Sequence, residues 1–152
     1  MMNSPSDLVR LVQEGFGHPQ VLVVGDLMLD KYVWGEVERI SPEAPVPVLR
    51  TGRHSEQPGG AANVAMNLAG LGAHVTVMGF GGGDDDQHAL ERLLRAAGVK
   101  FCIVACPGSP TTSKLRVLAG HQQLLRMDRE AKPAYSARAA ANLLGQVRDG
   151  LP

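Results

Sequence analysis

The chain has 152 residues, a length that suits one ordinary domain. Its 44% hydrophobic and 20% charged residues are those of a globular chain and exclude a disordered one. Fifteen basic residues balance 15 acidic ones. That balance argues against a nucleic-acid or anionic-membrane surface held by bulk charge, leaving only a local basic pocket. Aromatics make up 4%, so the core has to come mainly from Val, Leu, Ala and Met. No apolar run approaches the roughly 20 residues of a membrane-spanning helix. Residues 1–14 lack the basic segment and continuous apolar core of a secretory signal.

In chain order, Leu8, Leu11 and Val12 fall at helical spacing after Ser4-Pro5-Ser6-Asp7, predicting a short helix over about residues 5–15. Residues 20–25 form a continuous apolar run ending in Gly25, the pattern of a buried parallel strand. Asp26 and Asp30 follow it, at the end of a strand where open α/β sheets bind ligands. Residues 31–37 alternate, with Tyr32, Trp34 and Glu36 on one face, and predict an exposed strand. Three prolines make residues 41–47 an extended connector, and residues 46–51 a second exposed strand. Neither strand suits a parallel core sheet.

Gly59-Gly60-Ala61-Ala62-Asn63 reads as a Gly-Gly turn opening a helix over residues 60–71, with Val64, Leu68 and Leu71 inward and small alanines allowing close packing. Such a helix start directs unpaired N–H groups and the positive dipole end at a concave site. Asn63, one turn inside, can donate to and accept from a polyol. A strand over residues 75–80 follows. A helix over residues 84–97 then buries Leu90, Leu93 and Leu94 and stops at Gly98. Residues 99–105 predict a further strand. Residues 111–118 and 122–127 flank Ala119-Gly120-His121 as a hairpin. A last helix over residues 136–148 carries Leu143, Leu144 and Val147 at core spacing. This order predicts an α/β fold with inserted β strands.

Other chemistry-bearing residues favour plain roles. Cys102 and Cys106 would lie about 13 Å apart on a strand, too far for a disulfide. They read as free thiols of a reducing cytosol. Asp84-Asp85-Asp86 sits at a helix start, where acidic residues offset the dipole, so metal ligation is not expected there. The histidines, at 18, 54, 74, 88 and 121, show no ligand spacing, and residues 79–83 fail the dinucleotide-binding register.

The stretch Gly59 to Gly82, through Gly59, Gly60, Ala61, Asn63, Ala65, Gly72 and Gly82, resembles the N-terminal signature of the ribokinase-like (PfkB-type) carbohydrate kinases. Three more stretches narrow the match. Residues 23–30 resemble the family's first strand with its sugar-binding Asp, while residues 39–48 and residues 112–118 with 122–128 resemble the branch acting on D-glycero-D-manno-heptose 7-phosphate. The resemblance implies a partial, ribokinase-like Rossmann-type three-layer core with a β lid over the sugar, built from about residues 31–53 and 111–128. The lid would also form a homodimer contact. It makes Asp30 the carboxylate that anchors sugar hydroxyls, with Gly59, Gly60 and Asn63 as further sugar contacts. For Asp26 the alternative of a backbone-capping role stays open. Lys114, Arg116 and Arg126 on the hairpin suit a terminal phosphate, which Arg holds bidentately; a solvated strand face is the alternative.

The family's second signature, an Asp-Thr-x-Gly-Ala-Gly-Asp-like run, does not occur in these residues. By resemblance that run carries the catalytic base and anion hole, beside the ATP site. The expectation is a cytoplasmic sugar-binding portion of a kinase that needs ATP and Mg²⁺ when intact. The expectation extends to a chain that holds neither ATP nor Mg²⁺ by itself and is inactive alone. Two alternatives remain at this point: a kinase of the same family for another sugar phosphate, or a non-catalytic sugar-binding or dimerisation module.

Overall fold

The computed structural model describes residues 6, 9, 17–106, 108–130 and 136–150. The helix expected over residues 5–15 lies almost wholly outside them. The remaining elements run β1 Gln20–Val24, β2 Leu27–Ile40, β3 Pro47–Gly60, α1 Ala61–Gly70, β4 His74–Gly81, α2 Asp85–Ala96, β5 Lys100–Ala105, β6 Thr112–Ala119, β7 Gln122–Arg129 and α3 Ala137–Gly150.

The strands form two sheets. One is parallel, in the order β1-β4-β5; the other is mixed, in the order β3-β2-β6-β7. Val75 and Val77, two apart on β4, share the face that packs into the core with Leu27, Leu29, Ala62, Ala65, Ala89, Leu90, Leu94 and Val99. The opposite face of β4 carries Met78, which lies against Gly150 of α3. Helices therefore cover both faces of the parallel sheet, the three-layer arrangement expected of βαβ crossovers. Each fully buried Leu or Val stabilises this core by about 1.5–3 kcal/mol.

α2 begins and ends as its sequence dictates. Asp84, extended at φ −110°, caps it by accepting from the Gln87 N–H at 3.2 Å. The Gln87 side chain reaches back to accept from the Gly83 N–H at 2.8 Å. Gly98 at φ +71° closes the helix, its N–H donating to the Arg95 carbonyl. The role given to the acidic run as a helix start is thus met by Asp84.

Several expectations need correction. In α1, Val64 and Leu71 are 49% and 64% exposed, and the buried residues are Ala62 and Ala65. Met66, Leu68 and Ala69 also pack against the core, so Leu68 alone of the three expected residues turns inward. Leu144 of α3 is exposed too, and α3 has no fully buried residue. β1 is an edge strand with both its ends exposed, not a buried one. The two exposed strands are far longer than predicted, 14 residues each, and pair antiparallel from Leu27↔Gly60 to Ile40↔Pro47. Cross-strand pairing carries them through Gly and Pro positions that read as breaks in one dimension. The hairpin of β6 and β7 around Gly120, at φ +58°, is as expected.

Candidate functional site

The four-stranded sheet brings the singled-out residues together. β2 and β6 run parallel with Asp30 opposite Lys114 and Tyr32 opposite Arg116. β6 and β7 run antiparallel with Lys114 opposite Asp128 and Arg116 opposite Arg126. Residues opposite one another share a sheet face. Asp30, Lys114, Arg116, Arg126 and Asp128 therefore occupy one face, although up to 98 positions separate them in sequence. The alternate face, through Leu27 and Leu29, enters the core.

Two ion pairs organise the polar face. Arg116 Nη1 donates to Asp30 Oδ1 at 2.6 Å, with the two side chains 22% and 20% exposed. That hydrogen bond, more than any other influence, pushes the Arg116 guanidinium further above its ordinary value. Arg126 donates to both carboxylate oxygens of Asp128, at 2.7 and 2.5 Å. The same contact holds the Asp128 carboxyl below the usual range. Two guanidinium groups directly opposite each other on adjacent strands repel, so each is held by its own carboxylate. Lys114 makes no salt bridge among the described residues. Along β2 the face continues with Tyr32 stacked on Trp34, ring centroids 5.4 Å apart, and Arg53 lies 3.9 Å over the Trp34 ring.

Gly59 explains its own presence. It pairs with Met28 across the sheet. A Cβ built on it would lie 2.5 Å from Asp30 Oδ2 and 2.8 Å from Met28 Cγ. A side chain there would displace the carboxylate. Gly59 and Gly60 are not a turn, as the sequence suggested, but the last two residues of β3. Gly60, at φ +56°, turns the strand directly into α1. The Ala61 N–H donates to the Asp26 carbonyl at 2.9 Å, so the first donor of that helix is already satisfied. Asp26 thus serves through its backbone, with its side chain exposed. Asn63 is exposed on α1, its side chain 3.4 Å from that of Asn67.

A second polar cluster joins α2 to the four-stranded sheet. Lys31, on the opposite face of β2 from Asp30, is bonded to the buried Asp86 of α2. Arg129, at the end of β7, lies 3.3 Å from Asp84 and 3.6 Å from Asp86. Burial raises the Asp84 carboxyl. Hydrogen bonds from Thr111 and the Gln87 N–H, with the Arg129 charge, outweigh it and hold the group below its ordinary value. Neither the Arg116–Asp30 pair nor the Lys31–Asp86 pair was visible in the sequence. The parity of position numbers was the only signal, and it acquires meaning once the register is fixed.

Cys102 and Cys106 are free, and burial pushes the Cys106 thiol up. All five histidines are exposed; His18 hydrogen-bonds Gly72 O at 2.9 Å. Among the described residues, no three His, Cys, Asp or Glu side chains are grouped to hold a metal ion. No described helix is long and apolar enough to cross a membrane.

A family model described as pfkB family carbohydrate kinase matches residues 18–148. A protein of Koribacter versatilis named bifunctional protein HldE is 46% identical over the whole of this chain, which spans 31% of it. A D-beta-D-heptose 7-phosphate kinase of Bordetella bronchiseptica is 52% identical over 82% of this chain and 40% of its own length. The chain thus spans less than half of these curated relatives. Among solved structures, phosphofructokinase-2 from Escherichia coli in complex with substrates and products superposes with a TM-score of 0.63 at 26% identity. That match covers 87% of this chain and 41% of the other.

Proposed function

Given that the chain belongs to the pfkB family of carbohydrate kinases, we propose that it forms the sugar-recognising portion of a kinase for heptose 7-phosphate. In that reading the γ-phosphoryl of ATP passes to the C1 hydroxyl, supplying a precursor of ADP-heptose for lipopolysaccharide in the cytoplasm. The observation that carries it is the polar face on which Asp30, given its room by the bare Gly59, stands beside Lys114, Arg116 and Arg126. A carboxylate accepts from vicinal hydroxyls, and clustered cations donate to a phosphate. One face therefore addresses both ends of a phosphorylated sugar. The heptose kinase named among the relatives supports that substrate over other sugar phosphates.

These residues bind and orient; phosphoryl transfer depends largely on such positioning together with charge stabilisation. Gly60 and Asn63, at the junction of β3 and α1, would border the sugar. The four-stranded sheet would act as the lid. ATP and Mg²⁺, which the family implies, would supply the phosphoryl group and neutralise its charge. Among the described residues no group of three His, Cys, Asp or Glu side chains fits the metal ion.

The sheet's other face carries Leu125 opposite Val117 and Met127 opposite Leu115, with Leu125 and Met127 52% and 55% exposed. An apolar strip of this kind suits a second copy of the chain. Sedimentation equilibrium is expected to give a dimer; a monomer at all concentrations would exclude that pairing.

Calorimetric titration of the chain with heptose 7-phosphate tests the substrate. Saturable binding is expected, weakened on the order of 100-fold in Asp30→Ala, as for loss of hydrogen bonds to a charged group. A folded chain that binds fructose 6-phosphate equally well, or binds neither, would overturn the assignment.

A further inference from the structure

Asp30 and Arg116 carry opposite halves of the proposed recognition, yet they are bonded to each other. Arg116 reaches diagonally from its place opposite Tyr32 to Asp30, Nη1 to Oδ1 at 2.6 Å. The guanidinium suited to a phosphate thereby covers the carboxylate suited to sugar hydroxyls. The second oxygen, Oδ2, is confined on its other side by the Gly59 backbone, where not even a methyl group fits. Arg126 is committed to Asp128 through two bonds. Of Lys114, Arg116 and Arg126, only Lys114 forms no salt bridge among the described residues.

We infer that Arg116 determines specificity by masking Asp30 until the phosphate of the substrate draws it away. This rests on the heptose 7-phosphate reading. A phosphate dianion offers a guanidinium more charge and more acceptor oxygens than one carboxylate does. Arg116 can change partner without losing its other neighbour, the Tyr32 ring, 5.2 Å from its guanidinium carbon. Its hydrogen bond passes from Asp30 to the phosphate, and Asp30 Oδ1 becomes free for a hydroxyl. An unphosphorylated sugar must break the same pair and leaves Arg116 without a new partner. Discrimination then comes from this penalty as well as from direct phosphate contact. Phosphate and sugar should accordingly strengthen each other's binding, by equal factors.

The test is calorimetry on the 152-residue chain with three ligands: heptose 7-phosphate, unphosphorylated heptose and inorganic phosphate. In the unaltered chain, saturating inorganic phosphate is expected to tighten heptose binding by about tenfold. Arg116→Gln is expected to bind unphosphorylated heptose more tightly than the unaltered chain does, to bind heptose 7-phosphate more weakly, and to lose the response to phosphate. A variant that weakens both sugars alike would overturn the inference, because a plain structural or phosphate-contact role predicts no gain for either. Heptose 7-phosphate binding with no coupling between phosphate and heptose would overturn the mask and leave the substrate standing. The coupling measurement needs no variant, so it decides the matter if Arg116→Gln does not fold. A chain that binds no heptose 7-phosphate overturns both.

Discussion

The two sheets share one chain but are stabilised differently. The parallel sheet is sealed between helices. Its central strand β4 has Val75, Val77 and Met78 buried, and its cohesion is apolar. The four-stranded sheet is covered by helix α2 and the core only near Leu27, Leu29 and Lys31. Beyond that it stands as an open blade, one face laced with ion pairs and the other apolar and exposed. The sealed sheet can tolerate no polar site, since a buried charge without a partner is strongly destabilising. The blade keeps its charges within reach of water, so a pair opened by a ligand is not left fully buried. That is where a site able to trade partners can exist. The joint between the regions is the Lys31–Asp86–Arg129 cluster, placed where the blade leaves the core.

The largest effect should come from the core. Leu90, on α2, is fully buried there. Leu90→Ala should lower stability by about 2–5 kcal/mol. Leu125→Ala on the blade should change it by less than about 0.5 kcal/mol in the monomer. Urea denaturation of both variants measures the contrast, and equal losses would erase the distinction between the regions. The joint should give an intermediate effect. Lys31 is 31% exposed and Asp86 7%, so water recovers part of what the pair loses. Asp86→Asn should cost about 1–2 kcal/mol, between the values for exposed and buried pairs. It should also raise amide exchange in β2 and β7 more than in β4. Uniform exchange across both sheets would mean that the cluster is no joint.

The smallest effect concerns pH. Asp84 titrates below its ordinary value in the folded chain. Its contribution is therefore complete above the unfolded value of about 3.9 and lost as pH falls through the folded one. Asp84→Asn keeps a capping side chain but cannot titrate. Urea midpoints measured at pH 7 and pH 3 should differ less in that variant than in the unaltered chain. An identical difference would remove Asp84 from the acid response.

Local patterns made much of this molecule legible in one dimension. Apolar runs marked β1, β4 and β5, the Asp84 and Gly98 signals bounded α2, and a Gly120 turn joined β6 to β7. The Gly59 to Gly82 pattern pointed to the family. Other features could not be read that way. Val64 and Leu71 obeyed helical spacing yet are largely exposed, because α1 presents Ala62, Ala65, Met66 and Leu68 to the core instead. Gly59 and Gly60 carried a turn signal yet end a strand, since pairing with Met28 and Leu27 overrides local preference.

By itself, then, the sequence determined which segments are helix or strand, the class of the fold, and the identities of the polar residues worth watching. These follow from interactions within a few residues along the chain. The tertiary structure alone decided that Asp30 would meet Arg116, that Lys31 would meet Asp86, and that Gly59 would lie against the Asp30 carboxylate. Those contacts depend on strand register and sheet order, and both are fixed by burying one set of alternating side chains across elements as many as 86 residues apart.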